Sequence, residues 1–238
     1  MIALSLPSRC LEAELMDDPA LDPMKHEQAL RGVRRINRLS FAARTSWRAI
    51  ERATRDLDPT GILCIADIAS GGGDIAFGLV RHAARSGRAV EVTGFDISET
   101  AVALANRRSE AAGAAVTFAQ RDALHGPLPT GFDVMTSSLF FHHLADEQIV
   151  DLLRRMREAD PRAIVINDLV RSPMHLAAAH VTTRLISRSP IVHFDGPASV
   201  RAALTCDEIA ALAAEAGLAG ATVERRFPMR LIVTWCRS

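Results

Sequence analysis

Asp67, the run Gly71-Gly72-Gly73, and Asp96 are the first residues of this chain whose types and spacing imply chemistry. Three glycines in a row let the backbone turn sharply and leave bare main chain against a ligand. Asp96 ends an apolar stretch over 90–95. A carboxylate at the tip of such a strand can accept two hydrogen bonds from a ribose diol. Asp67 precedes the turn, where a carboxylate would repel a diphosphate. Further along, His142 and His143 are adjacent imidazoles, a type that titrates near neutrality. Asn167 and Asp168 close another apolar run, over 163–166.

The elements that must position these groups follow from periodicity. Residues 62–66 are a short apolar run suited to a buried parallel strand. Residues 74–87 have a helical pattern that stops at Gly87. With the strand over 90–95 they form a strand, turn, helix, strand unit whose ligand edge lies beyond the carboxyl ends of the strands. Ser98 caps a helix through 112, strands follow over 116–119 and 132–138, and a helix begins at Asp146 and runs to 159. The strand over 163–166 brings Asn167 and Asp168 to the ligand edge, although either side chain could equally bond its own turn. Residues 171–200 break the alternation, with a helix near 174–187 and then a loop containing Pro190, His193, Asp195, Gly196 and Pro197. Thr205 and Glu208 form a capping box for a helix to Gly217. Strands over 221–227 and 230–236 are joined so tightly that they must be antiparallel.

Two ligand classes fit the turn itself. Gly71-x-Gly73-x-x-Ala76, with an acidic residue about 20 positions on, satisfies a loose dinucleotide fingerprint. Asp67-x-Ala69-x-Gly71-x-Gly73 instead resembles motif I of the class I S-adenosylmethionine-dependent methyltransferases, with alanine at 69 where that family usually has glycine. The terminal hairpin favours the second reading, and the absence of tyrosine excludes the Tyr/Lys chemistry of short-chain dehydrogenases. The resemblance implies a Rossmann-like α/β fold, mostly parallel with a C-terminal antiparallel strand, N-terminal helices and a helical insert before the last strands. It implies S-adenosyl-L-methionine as cofactor, held by Asp67, Ala69, Ser70, Gly71, Gly73, Asp96, Ile97, Asp122, Ala123 and Ser138. Asp67 would serve the methionine end, Asp96 the ribose, and Asp122 with Ala123 the adenine.

The segment Phe140-Phe141-His142-His143-Leu144 resembles the family's stretch after strand four, where a histidine pair before a leucine is common. It implies His142 as the base or orienter and His143 as a mainly structural helper. Asn167, Asp168, Arg171 and His175 are the expected substrate-binding residues. The chain is similar to the ubiquinone/menaquinone-type branch. Ile36-Asn37-Arg38 and Ile166-Asn167-Asp168-Leu169 also resemble bacterial methyltransferases associated with polyketide or alkylresorcinol pathways. The implied reaction is O-methylation of a small aromatic or polyketide-derived acceptor in secondary metabolism. The alternatives are C-methylation of a quinone precursor, a nicotinamide oxidoreductase, and a non-catalytic partner subunit of the same fold.

Composition bounds the rest. The 238 residues suit one domain with additions: an N-terminal helical cap over 1–58 and a methyltransferase domain over 59–238 with its substrate-pocket insert at about 171–200. Leu30, Val33, Ile36 and Leu39 recur at helical spacing, and Phe41, Trp47 and Ile50 extend that face. Arg31, Arg34, Arg35, Arg38 and Arg44 sit elsewhere on it, as a solvated face or as a lid steering an anion. Lys+Arg and Asp+Glu are 28 each, so no basic surplus points to nucleic acid. Cys10, Cys64, Cys206 and Cys236 have no metal spacing, and no metal is expected. No signal peptide or membrane-spanning run is apparent, so a cytoplasmic location is expected.

Overall fold

The apolar run ahead of the glycine turn becomes β1 (Leu63–Ile68), the middle of a seven-stranded sheet. Parallel β2 (Val90–Asp96) and β3 (Val116–Gln120) lie to one side, and parallel β4 (Val134–Ser138) and β5 (Ala163–Leu169) to the other. The hairpin of β6 (Thr222–Arg226) and β7 (Arg230–Cys236) adds to β5 with β7 antiparallel to both neighbours, giving the order β3-β2-β1-β4-β5-β7-β6. This computed structural model describes residues 6, 8–17, 21–22, 24, 28–29, 32, 35–36 and 41–237.

The helices are α1 (Ala42–Ala53), α2 (Asp74–Arg85), α3 (Glu99–Ala112), α4 (Asp146–Glu158), α5 (Pro173–Ile186), α6 (Pro190–Ala202) and α7 (Cys206–Glu215). Their starts follow the expected capping chemistry. Ser98 accepts from the Ala101 N–H, Ser172 from His175 N–H, and Thr205 with Glu208 forms the reciprocal box.

Side chains alternate along each strand, so the sheet has two different faces. Ile65, Val165 and Ile232 pack with Trp47 and Ile50 of α1 and with Ile75 and Leu79 of α2. Ala66, Ile164, Ile166 and Val233 pack with Ile149, Leu153 and Met156 of α4 and with Ile209 of α7. Both faces are covered, which is why β1 and the first four residues of β5 read as nearly unbroken apolar runs, while β4 turns polar at Thr136. The alternation also sends the consecutive residues Asn167 and Asp168 to opposite faces.

The expected loop after residue 187 is a helix. Pro190 stands at the first turn of α6, where proline needs no N–H partner, but Pro197 lies inside the helix. Its lost hydrogen bond is offset by burial of Ile191, Val192, Ala198 and Val200, so packing overrides the local signal. Gly196 permits the close α5–α6 contact: a Cβ there would come within 2.4 Å of Thr183 Cγ2.

Of the N-terminal helical face, Ile36 is half-buried against the small cluster of Ala29, Ile191 and Val192, and Arg35 and Arg44 are exposed. Leu30, Arg31, Val33, Arg34, Asn37, Arg38 and Leu39 lie outside the described residues. Arg44 joins Arg48, Arg52, Arg226, Phe41 and Phe227 around an open groove of about 430 Å³ between α1 and the hairpin.

Candidate active site

The turn after β1 is built as its glycines require. Gly71 and Gly73 have φ of 51° and 78°, in the left-handed region. A Cβ on Gly73 would lie 2.3 Å from Phe118 Cζ, so a hydrogen is all that fits. Ala69 also takes φ 56°, where an L side chain is strained. Asp96 ties the turn to β2: its Oδ2 accepts from Gly71 N–H at 2.6 Å and its Oδ1 from Ser98 N–H at 3.0 Å. Ile97 stands beside it, 63% exposed at the rim.

Asp67, Thr136, Ser138 and Asn167 share one sheet face near the carboxyl ends of β1, β4 and β5. Thr136 Oγ1 donates to the Val165 carbonyl. In contrast, both Asp67 carboxylate oxygens, Ser138 Oγ and Asn167 Oδ1 are buried with no hydrogen-bond partner among the described residues. Ser70 Oγ, in the turn, is in the same state. Native proteins satisfy most buried polar atoms, so this group forms a polar cradle shaped for something that binds. Burial first, then the Asp96 charge, pushes the Asp67 carboxyl up to about 7. A ligand ammonium is the group that would reverse both effects.

On the opposite face Asp168 meets His142. The turn Phe141–His143 follows β4, and His142 N–H donates to Asp168 Oδ2 at 3.2 Å. The ring Nδ1 lies 2.7 Å from Asp168 Oδ1, and both side chains are buried. This pairing assigns the Nδ1 proton to the Asp168 bond and aims Nε2 the other way. Burial alone would lower the His142 imidazole, but Asp168 and, more weakly, Glu14 outweigh it and hold it above its ordinary value. Burial also works against the Asp168 charge, and His142 with the Leu169 N–H holds that carboxyl below its usual range. The ring of His143 stacks on His142 with centroids 4.2 Å apart; the residue as a whole is exposed, and the packing of its ring, followed by the His142 charge, lowers its imidazole. Glu14, His142 and His143 bring ligand-type atoms within 4.8 Å of one another. The two rings are tilted by only 35°, so they pack face to face rather than converge on a point.

Several expected site residues have other work. Asn167 has a second role: its Nδ2 donates to the Ala42 carbonyl at 3.0 Å and Ser46 Oγ at 2.8 Å, fastening α1 to β5, while its Oδ1 stays in the cradle. Asp168 stands behind His142, because strand alternation turns it away from Asn167. Arg171 is turned into the protein, where it forms a two-pronged pair with Glu208 at 2.5 and 3.0 Å and donates to the Ala203 carbonyl. It joins the exit of β5 to the start of α7. His175 is half-buried, its Nδ1 2.8 Å from the Val170 carbonyl, and burial lowers it to about 4. Asp122 closes its own turn, accepting from Leu124 N–H at 2.7 Å with His125 Nδ1 2.8 Å away. Ala123 is buried beside it, its carbonyl taken by Arg155.

One residue was invisible to sequence reasoning. Glu14 Oε1 lies 3.8 Å from His142 Nε2, with its side chain only 8% exposed. It comes from a stretch without periodicity, and no local motif marks it.

Comparison with known proteins agrees with this geometry. Residues 65–159 match the methyltransferase-domain family. A demethylmenaquinone methyltransferase of Thermus thermophilus is 35% identical over 140 residues, which are 55% of this chain. The chain spans 58% of that relative's length. Among solved structures, the plantazolicin methyltransferase BpumL in complex with SAH superposes with a TM-score of 0.68 at 17% identity, over 91% of each chain. The human N-acetylserotonin methyltransferase in complex with SAM gives 0.63 at 15%, over 90% of this chain and 56% of that one. Of the two ligand classes that the glycine turn allows, the family match and the antiparallel β7 select one. Residues 65–159 are thus similar to a methyltransferase domain, and the chain has the fold of solved S-adenosylmethionine-dependent methyltransferases.

Proposed function

We propose that this chain is an S-adenosylmethionine-dependent methyltransferase that acts on a phenolic or polyketide-type hydroxyl of a small molecule, with His142 as the base. The observation that carries the cofactor is the buried, unpartnered Asp67 carboxylate beside a glycine turn held by Asp96. Asp67 would hold the ammonium, and Ser70 and Ser138 would supply further hydrogen bonds. The bare backbone of Gly71 would lie against the nucleoside, and Asp96 would take the ribose diol. Bound cofactor supplies an electrophilic methyl group on a sulfonium.

The chain's own task is to align the acceptor, exclude water and manage one proton. A phenol, with a pKa near 10, becomes a good acceptor when its proton is shared with a base. Asp168 supports that role by fixing the His142 tautomer and favouring its charged form. His175, held neutral by burial, and the exposed His143 beside His142 would serve as polar helpers.

C-methylation of a quinone precursor is the second reading, favoured by the 35% identity to a demethylmenaquinone methyltransferase. A methyl-transfer assay over phenols, quinols and carboxylic acids separates the two. The O-methyl reading predicts a phenol ether, with turnover lowered about 100-fold or more in His142→Ala and cofactor affinity retained. Equal turnover in that variant removes His142 from the mechanism. Cofactor binding with no transfer to any acceptor would favour a non-catalytic role.

A further inference from the structure

Asp168 accounts for only one side of the His142 ring. The other nitrogen, Nε2, faces Glu14 at 3.8 Å. Glu14 does not hang there by chance, since its segment is fastened at several points. Ser199 Oγ of α6 donates to its Oε1. The next two residues are clamped by the buried Asp195, which accepts from Leu15 N–H at 2.8 Å and Met16 N–H at 3.1 Å. Upstream, Arg9 bonds Asp146 at 2.5 Å, the Leu144 carbonyl at 2.9 Å and the Ala202 carbonyl at 2.8 Å. The strap thus crosses from α6 to the turn that carries His142.

The charges conflict with a ready base. A neutral His142 donating from Nδ1 to Asp168 would point a lone pair at the Glu14 carboxylate. The arrangement is favourable when both ring nitrogens carry protons, with one carboxylate on each side. An imidazolium cannot accept the acceptor's proton.

We propose that Glu14 is a positioning residue of the N-terminal strap that holds His142 in its charged, inactive form until an acceptor hydroxyl takes its place at Nε2. This rests on the reading of His142 as the base. When the acceptor displaces Glu14, the ring loses its second carboxylate and releases the Nε2 proton to solvent. The acceptor oxygen then forms its bond to the methyl carbon and passes its own proton to Nε2. The carbon–sulfur bond breaks, with its electron pair left on sulfur. Among the described residues, the charged and titratable groups around the ring are Asp168, Glu14, His143 and His175 with Arg230, and the Arg9 guanidinium lies 3.5 Å from the His142 carbonyl. Asp168 and Glu14 favour its charged form, and Arg230 opposes it.

The test uses Glu14→Gln and Glu14→Asp in the full chain, with thermal melting and adenosylhomocysteine affinity as controls for folding. Histidine ring signals followed by NMR against pH give the titration of His142 in the free protein, without reference to turnover. In Glu14→Gln that titration moves down by at least about 1 pH unit, since one charge removed from about 4 Å is worth that much even in water and more in this buried site. Glu14→Asp restores most of it. The acid limb of kcat/KM, which reports free protein, moves down with it, whereas the limb of kcat moves less because the acceptor has already displaced Glu14. An unmoved NMR titration overturns the proposal, as does an equal shift of both limbs. A shifted titration with turnover indifferent to His142→Ala instead keeps the Glu14 contact and overturns the base reading.

Discussion

Replacing Asp67 by asparagine should raise the stability of the unliganded protein at alkaline pH. The carboxyl is fully buried and lifted from 3.8 to about 7. Its folded-state value lies above its unfolded one, the reverse of a salt-bridged aspartate. The wild-type protein therefore carries no penalty from this group well below pH 4. The penalty grows between about pH 4 and 7 as the unfolded chain ionises and the native carboxyl does not. A displacement of about 3 pH units corresponds to about 4 kcal/mol above pH 7. A buried asparagine without partners costs about 1–3 kcal/mol at every pH, so the net gain at pH 8 is about 1–3 kcal/mol. Urea unfolding at pH 4.5 and pH 8 is the assay. Asp67→Asn should flatten the pH slope and weaken adenosylhomocysteine binding. In the wild-type protein, binding at pH 6.5 should release protons, seen as a dependence of calorimetric heat on buffer ionisation enthalpy. A variant less stable than wild type at pH 8, with an unchanged slope, would refute the reasoning.

Gly73→Ala should cost about 2–4 kcal/mol, because the new Cβ meets Phe118 at 2.3 Å and φ is 78°; the midpoint of urea unfolding reads it. Ala69→Gly should stabilise by about 1 kcal/mol by relieving the left-handed strain at φ 56°, with cofactor affinity retained. Arg171→Ala should cost about 1–2 kcal/mol, since it removes the bond to the buried Ala203 carbonyl and a half-exposed pair with Glu208, yet leave the acceptor KM of the folded fraction unchanged. A selective rise in that KM would return Arg171 to the acceptor pocket.

The sheet was legible because its central strands are buried on both faces and its elements are punctuated by glycine, proline and capping residues. The glycine turn was legible because Asp67, Gly71, Gly73 and Asp96 lie within one strand-turn-helix-strand unit. What escaped depends on contacts between elements. Asn167 and Asp168 looked like one polar tip, but strand alternation assigns one to α1 and the other to His142. Arg171 was an expected substrate-binding residue, and only the packing of α7 brings Glu208 to it. Pro197 looked like a loop marker because the burial that sustains α6 comes from distant residues. Glu14 had no local signature at all, since only the tertiary fold brings it to the imidazole.

The most direct measurement is a crystal structure of the protein grown with adenosylhomocysteine. The account predicts the ammonium of its amino-acid end on Asp67, the ribose hydroxyls on Asp96 and the adenosine against Gly71. An empty hollow at Asp67, or a nicotinamide dinucleotide bound there in its place, would contradict it.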